Sequence, residues 1–278
     1  MDQGIHFISG LPRSGSTLLA GILRQNPRFH AGMTSPVGSM YMALESAMSR
    51  RNETAVFIAQ DQRKAVLHGL FSNFYESIHQ EQLVFDTNRA WCTKLPALTR
   101  LFPNARFICC VRDIGWIMDS VERLVRRNAF ELSGMFGFEA GGTVYTRVAR
   151  LASSDGLVGY ALDALREAFF GEESDRLILV EYEALVRSPK ATIQQLYDML
   201  GEARFPHDFD NVEYQADHFD AALGAHGLHT VRRKVEWTER RTVLPPGLFD
   251  RFSDDAFWRL PQSRARYVPM ISYNALAG

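Results

Sequence analysis

The stretch of this sequence best equipped for chemistry is Gly10-Leu11-Pro12-Arg13-Ser14-Gly15-Ser16-Thr17. A glycine-rich turn lets several backbone N–H groups converge on one anion. A helix beginning near Ser16 adds the positive end of its dipole. Ser14, Ser16 and Thr17 contribute hydroxyl donors, and Arg13 contributes a planar, permanently charged fork that fits phosphate or sulfate oxygens. The spacing is that of a Walker A loop, yet Ser16 stands where the lysine belongs. That lysine reaches the β- and γ-phosphates in ordinary kinases and NTPases, so its absence points to a different anion. The plain alternative is a tight turn before a helix, with Arg13 solvated.

A second constellation is Val111-Arg112-Asp113, with Ser120 eight residues beyond Arg112. An arginine at a strand's carboxyl end and a serine two turns into the next helix can converge on one phosphate, while Asp113 caps that helix. The competing arrangement is a salt bridge from Arg112 to Asp113 or Glu122, with Ser120 at the surface. Phe85-Asp86-Thr87-Asn88-Arg89 follows a further strand candidate. A strand-end aspartate has the right chemistry for a general base. Arg89 can stabilise developing charge but stays protonated. His30 and Glu45 are reserves for the base, though a strand-edge polar residue and a helix surface charge describe them as well. Arg123, Arg126 and Arg127 form a basic helical face, and Arg232-Arg233-Lys234 is the densest basic run near the C-terminus.

The elements that must position these residues alternate. Ile5–Ser9, Leu83–Phe85, Arg106–Val111 and Leu177–Val180 are short apolar runs that read as buried strands. Helical spacing follows over Ser16–Gln25, Ala65–Ile78, Ala97–Phe102, Ile114–Val125 and Lys190–Leu200, and over Val144–Phe170 with a break near Ser153–Gly156. This order predicts an α/β fold: a parallel sheet flanked by helices on both faces, of the P-loop nucleotide-binding type. Ligands of such folds sit beyond the carboxyl ends of the strands, where the arginines and glycines fall.

At 278 residues, 46% hydrophobic and 23% charged, the chain has an ordinary globular composition, and no linker or repeat divides it, so residues 1–278 read as one domain. A net charge of -1 gives no global attraction for nucleic acid, and any anion site must be local. No apolar run is long enough for a membrane span. The N-terminus leads straight into the glycine loop and reads as mature fold rather than a leader. Cys92, Cys109 and Cys110 lack metal or disulfide spacing and fit a reducing cytoplasm. No acidic cluster suggests a metal site.

Leu11-Pro12-Arg13-Ser14-Gly15-Ser16-Thr17-Leu18-Leu19 resembles the 5′-phosphosulfate loop of sulfotransferases that use 3′-phosphoadenosine-5′-phosphosulfate (PAPS). The arginine form is closer to the protein-tyrosine and bacterial branches than to the cytosolic branch, which has lysine at the position of Arg13. The resemblance implies that Arg13, Ser14, Gly15, Ser16 and Thr17 hold the phosphosulfate. It implies the same for Arg112 and Ser120 with the 3′-phosphate, for Tyr182 near the adenine, and for Arg232, Arg233 or Lys234 in closing the site. Arg89 stands where the protein-tyrosine branch has a catalytic lysine. The glutamate of that branch has no counterpart in Gly32-Met33-Thr34-Ser35-Pro36. Asp86 is the nearest ionisable residue to the cytosolic branch's histidine and becomes the candidate base. The implied reaction moves a sulfuryl group from PAPS, in line, to a hydroxyl or amine and leaves adenosine 3′,5′-bisphosphate (PAP). The acceptor is a small molecule, glycan, lipid or peptide, with aromatic and methionine positions 29, 33, 40–42, 136 and 138 as candidate apolar lining. An atypical P-loop kinase and a non-catalytic nucleotide-binding module are the competing readings.

Overall fold

A computed structural model describes residues 4–79, 82–252 and 255–268. Six strands, β1 Ile5–Gly10, β2 Phe29–Ala31, β3 Leu83–Thr87, β4 Phe107–Val111, β5 Leu177–Glu181 and β6 Arg266–Val268, form one sheet in the order β2-β3-β1-β4-β5-β6. Every pairing is parallel, with Phe7 opposite Phe107 and Phe107 opposite Leu177 in the central register. Twelve helices among the described residues connect and cover them. They are α1 Ser16–Leu23, α2 Val37–Ala47, α3 Gln60–Phe74, α4 Glu76–His79, α5 Leu95–Leu101 and α6 Ile114–Arg127. The second half of the chain adds α7 Val144–Ala152, α8 Gly159–Phe170, α9 Tyr182–Arg187, α10 Pro189–Leu200, α11 Asp217–Ala222 and α12 Pro246–Asp250.

The period-two alternation of the strands sorts side chains to two covered faces. Phe7, Val84, Phe107, Cys109, Leu177 and Leu179 pack with Tyr41, Phe71, Leu98, Ile117 and Leu165 from α2, α3, α5, α6 and α8. Ile8, Phe85, Ile108, Cys110, Ile178 and Val180 pack with Leu19, Ile22, Ile193 and Leu196 from α1 and α10. The three central strands are buried at every position, so the sheet reads as continuous apolar runs and only its ends carry polar groups.

The four expected strands are all present, each within one or two residues of its expected limits. The expected helix over Val144–Phe170 is two, broken at residues 153–158. The one over Ala65–Ile78 starts earlier and stops at Phe74 before the short α4. Two three-residue edge strands, β2 and β6, and helix α2 lie outside the sequence expectation. Strands that short carry too little periodicity to stand out.

Candidate functional site

β1 ends at Gly10, where φ is 97° and an added Cβ would lie 2.3 Å from the Cys110 carbonyl oxygen. Only glycine lets β1 turn this tightly beside β4. Leu11 N–H then donates to the same carbonyl at 2.8 Å, so the loop is stitched to the neighbouring strand. Arg13 adopts a left-handed backbone, φ 58°, which is strained for a residue with a Cβ. Ser14 is buried, and its hydroxyl donates inside the loop, to the Leu11 and Cys110 carbonyls. Its side chain is therefore already engaged by protein, which leaves its backbone N–H for a ligand. Gly15, φ 94°, precedes α1 without any side-chain cap. The Ser16 and Thr17 hydroxyls make no hydrogen bond to protein among the described residues. Uncapped N–H groups, two open hydroxyls and a helix start make this end of the sheet an anion cradle.

Arg112 leaves the end of β4 and is 7% exposed. Its guanidinium lies 4.1 Å from the centroid of the Tyr182 ring and donates to the Arg13 carbonyl at 3.3 Å. Glu183 is its nearest carboxylate, at 3.7 Å, and Arg112 Nε is buried with no hydrogen-bond partner among the described residues. Tyr182 in turn abuts the loop, since a Cβ on Gly15 would lie 3.0 Å from Tyr182 Cδ2. Ser120, on α6, accepts from Arg13 Nε at 3.1 Å. The structure thus brings Arg13, Gly15, Arg112, Ser120 and Tyr182, spread over most of the chain, into one cluster. Asp113 caps α6 by accepting from Trp116 N–H at 3.0 Å, rather than pairing with Arg112.

The basic run expected to close the site has local partners. Arg232 donates to Thr238, Arg233 pairs with Glu213 at 3.1 Å, and Lys234 lies within 4 Å of Asp210 and Glu236 on the surface. The C-terminal arginine at the cluster is Arg240, which nothing in its local sequence distinguishes. It lies 3.0 Å from Asp119 Oδ2, outside hydrogen-bond alignment, and its NH2 is a buried unspent donor. Asp119 is fully buried on α6 and also accepts from Val243 N–H at 2.7 Å and Thr242 at 3.1 Å. A charged residue on the apolar face of α6 is the sequence signal that a distant partner exists. The Leu228 carbonyl accepts from Arg13, so residues 225–243 form a strap over the cradle.

The electrostatics are those of a site built for an anion. Burial and the charges of Arg112 and Arg240 lower the Arg13 pKa from 12.5 to about 10, against the opposing pull of Asp220 and Tyr182. Burial lowers Arg112 as well, and burial and Arg112 lower Arg240. Arg112 depresses both Arg13 and Arg240, and the carboxylates of Asp119, Glu183 and Asp220 partly offset the local positive charge.

Asp86, the candidate base, is deeply engaged with the protein. It is 1% exposed, and its carboxylate accepts from Ser35 at 2.7 Å, Tyr75 at 2.5 Å and Trp91 Nε1 at 2.8 Å. Burial raises its pKa despite these donors. Asn88 caps the turn that presents Arg89, whose carbonyl accepts from Ser9 at 3.0 Å. Arg89 is exposed overall, yet surrounding protein lowers its pKa through desolvation. His30 packs edge-on to Tyr75, and Glu45 pairs with Lys94 at 2.6 Å. Of the proposed apolar lining, Phe29 and Tyr41 are core residues and Phe138 is exposed. Phe136 lines a cavity of about 260 Å³ with Leu124, Met135, Arg147 and Gly224, beside the strap. No helix of the described residues is long and apolar enough to cross a membrane.

Comparison with known proteins agrees with this geometry. Human protein-tyrosine sulfotransferase 1 is 32% identical over 118 residues, which is 40% of this chain and 32% of that protein. The Drosophila melanogaster protein-tyrosine sulfotransferase is 24% identical over 208 residues, 72% of this chain and 38% of that protein. The matches therefore span only about a third of the relatives' length. Among solved structures, the sulfotransferase domain from the curacin biosynthetic pathway superimposes with a TM-score of 0.50 at 19% identity, covering 97% of this chain and 94% of that one. A sulfotransferase from Alicyclobacillus acidocaldarius gives 0.50 at 12% identity, covering 80% and 92%. These two likenesses establish a common fold. The model of the sulfotransferase family matches residues 6–206, most of the described sheet and both arginine sites, and the chain belongs to that family.

Proposed function

We propose that this protein transfers a sulfuryl group from PAPS to a hydroxyl or amine of an acceptor. The observation that carries the reading is the buried Nε of Arg112, which has no hydrogen-bond partner among the described residues, set with the charges of Arg13 and Arg240 beside an uncapped helix start. Such an arrangement fits a ligand with two separated anionic groups, and the narrow space between Gly15 and Tyr182 is a cradle that a Cβ would fill. PAPS, when bound, supplies a sulfuryl group activated by a phosphate leaving group.

In this reading Arg13, the N–H groups of Ser14 and Gly15, and the hydroxyls of Ser16 and Thr17 hold the phosphosulfate end and spread its charge. Arg112 and Ser120 hold the 3′-phosphate, and Tyr182 offers its ring to the adenine. Arg240 takes the closing role that the sequence suggested for Arg232, Arg233 or Lys234. Arg89, which remains charged, stabilises the leaving phosphate without giving it a proton. Asp86 ties Ser35, Tyr75 and Trp91 together from within the core. The buried, unpaired cysteines fit a reducing compartment such as the cytoplasm.

Calorimetric titration with PAP and with a non-hydrolysable ATP analogue tests the donor. Selective binding of PAP is expected. Equal affinity for the two favours a kinase, and no binding of PAP refutes the proposal.

A further inference from the structure

With Asp86 engaged, Glu45 paired with Lys94 and no carboxylate in residues 32–36, His30 on β2 is the acceptor for the proton among the residues considered so far. A second titratable pair lies on the strap. Asp220, on α11, is 1% exposed. One of its carboxylate oxygens accepts from the His229 backbone N–H at 2.9 Å, and the other contacts His229 Nδ1 at 2.6 Å. Phe219 packs edge-on to the ring with centroids 5.5 Å apart. Both oxygens of a buried carboxylate on one residue fix the imidazole's orientation and place its proton on Nδ1. Nε2 is then the bare nitrogen, and among the described residues nothing hydrogen bonds to it.

The pair sits beside the cradle. Leu228, whose carbonyl accepts from Arg13, immediately precedes His229. The charges of Arg13 and Arg89 act on the ring, and with burial they outweigh Asp220 to hold the imidazole below its ordinary 6.5. His229 is therefore neutral at pH 7 and able to accept a proton. His6 offers no alternative, since its Nδ1 accepts from Arg106 N–H at 3.1 Å in the sheet interior.

We infer that His229, oriented by Asp220, is the general base of sulfuryl transfer in this protein. This inference rests on the PAPS reading above. His229 Nε2 takes the acceptor's hydroxyl proton as the acceptor oxygen bonds to sulfur. The bond between sulfur and the bridging oxygen of the donor breaks, and its electron pair leaves on the 5′-phosphate. The proton later passes from Nε2 to solvent. Asp220 is a positioning residue that keeps the reactive nitrogen bare and supports the imidazolium, a division of labour general to His–Asp pairs.

Three measurements on the whole chain test this. The first is PAP binding by calorimetry, in which His229→Gln is expected to retain the wild-type Kd within about threefold. The second is sulfate release from PAPS to water under single-turnover conditions. Wild type should show a rate that climbs with pH along a limb below 6.5 and then levels. His229→Gln should lower the plateau about 100-fold and remove the limb. Asp220→Asn should move the limb to lower pH, because Asp220 is the group that raises the His229 pKa. The third is imidazole 15N NMR without turnover. The Nδ1–H tautomer is expected, with a midpoint that rises when PAP is added, as the ligand's anions offset Arg13 and Arg89. Sulfate release at the wild-type rate in a His229→Gln protein that binds PAP overturns the inference, and so does a midpoint unmoved by bound PAP. Absence of PAP binding in wild type instead removes the donor reading and this inference with it.

Discussion

Replacing Arg112 with alanine separates the binding role of the arginine cluster from its structural role. Arg112 is 7% exposed, its Nε is unspent, and its guanidinium lies 4.1 Å from the Tyr182 ring centroid. The substitution deletes a charge-assisted contact with phosphate, worth about 1.5–3 kcal/mol. It also deletes the stacking that fixes Tyr182, worth about 0.5–2 kcal/mol. A third effect acts on the free protein. Arg13 is depressed from 12.5 to about 10, which costs roughly 3 kcal/mol of charge accommodation at about 1.4 kcal/mol per tenfold. Burial is the largest cause and Arg112 the second. Removing Arg112 relieves part of that cost in the free protein and so weakens its demand for an anion further. The net expectation is about 2–4 kcal/mol less binding energy for PAP, roughly a 30- to 700-fold rise in Kd. The free protein should melt no earlier than wild type, because relieved repulsion offsets lost packing. Calorimetry gives the first quantity and thermal unfolding without ligand gives the second. A Kd within about threefold of wild type would falsify the placement of the 3′-phosphate on Arg112. A large fall in melting temperature without ligand would show instead that the arginine cluster is a structural ion network.

Arg240→Ala should weaken PAP binding at least tenfold, whereas the combined Arg232→Ala, Arg233→Ala and Lys234→Ala variant should stay within about threefold; the reverse order in a titration would return the closing role to the basic run. Gly15→Ala should cost roughly 1–2 kcal/mol of stability through its left-handed backbone, and should abolish detectable PAP binding because the new methyl pushes on Tyr182. Asp86→Ala should destabilise the fold by about 1–3 kcal/mol by leaving buried Trp91 Nε1 without its acceptor, while Asp86→Asn should keep most of the sulfate release; a 100-fold loss of rate in a stable Asp86→Asn protein makes Asp86 the base. Burial raises the Asp86 pKa above 3.8, so the folded chain holds that proton more tightly than the unfolded one. Its stabilising contribution is full below 3.8 and declines as pH rises through the raised value. Denaturant titrations across this range should give a flatter stability profile for Asp86→Asn than for wild type.

The candidate donor side of the site is legible in the sequence because its parts are local. Gly10 to Thr17 is one turn between a strand and a helix, and Arg112 and Ser120 lie on a strand end and the helix that follows. Residue type, spacing and the alternation of elements suffice to place them at one edge of a parallel sheet. The parts that complete the site are long-range contacts of an irregular segment. Arg240 differs in no sequence property from Arg232 or Arg233, and only its pairing with a buried aspartate over a hundred residues away selects it. Asp220 and His229 likewise become a pair because α11 and the strap fold back on each other. Asp86 shows the opposite case. Its place at a strand end suggested a base, and the sequence does not reveal that a tyrosine, a serine and a tryptophan drawn from three segments converge on its carboxylate. The edge strands β2 and β6 escaped for a simpler reason, since three residues carry no period.

The strap that runs from Ala225 to Val243 also sets an order of events during synthesis. Arg13 and Leu228 are 215 residues apart in the chain, and Asp119 and Val243 are 124 apart. The five strands through β5 are complete once Glu181 has emerged, and domains assemble from what the ribosome has already released. A nascent chain at that stage holds the glycine loop, Arg112 and Tyr182 but lacks the carbonyl that engages Arg13 and the charge of Arg240. Nucleotide that binds the finished site, and not the half-built one, draws the late segment into place by mass action, with a stabilisation that grows as the logarithm of ligand over Kd. On the proposed donor reading, PAP and PAPS would act as folding templates for the last third of the chain as well as participants in its chemistry.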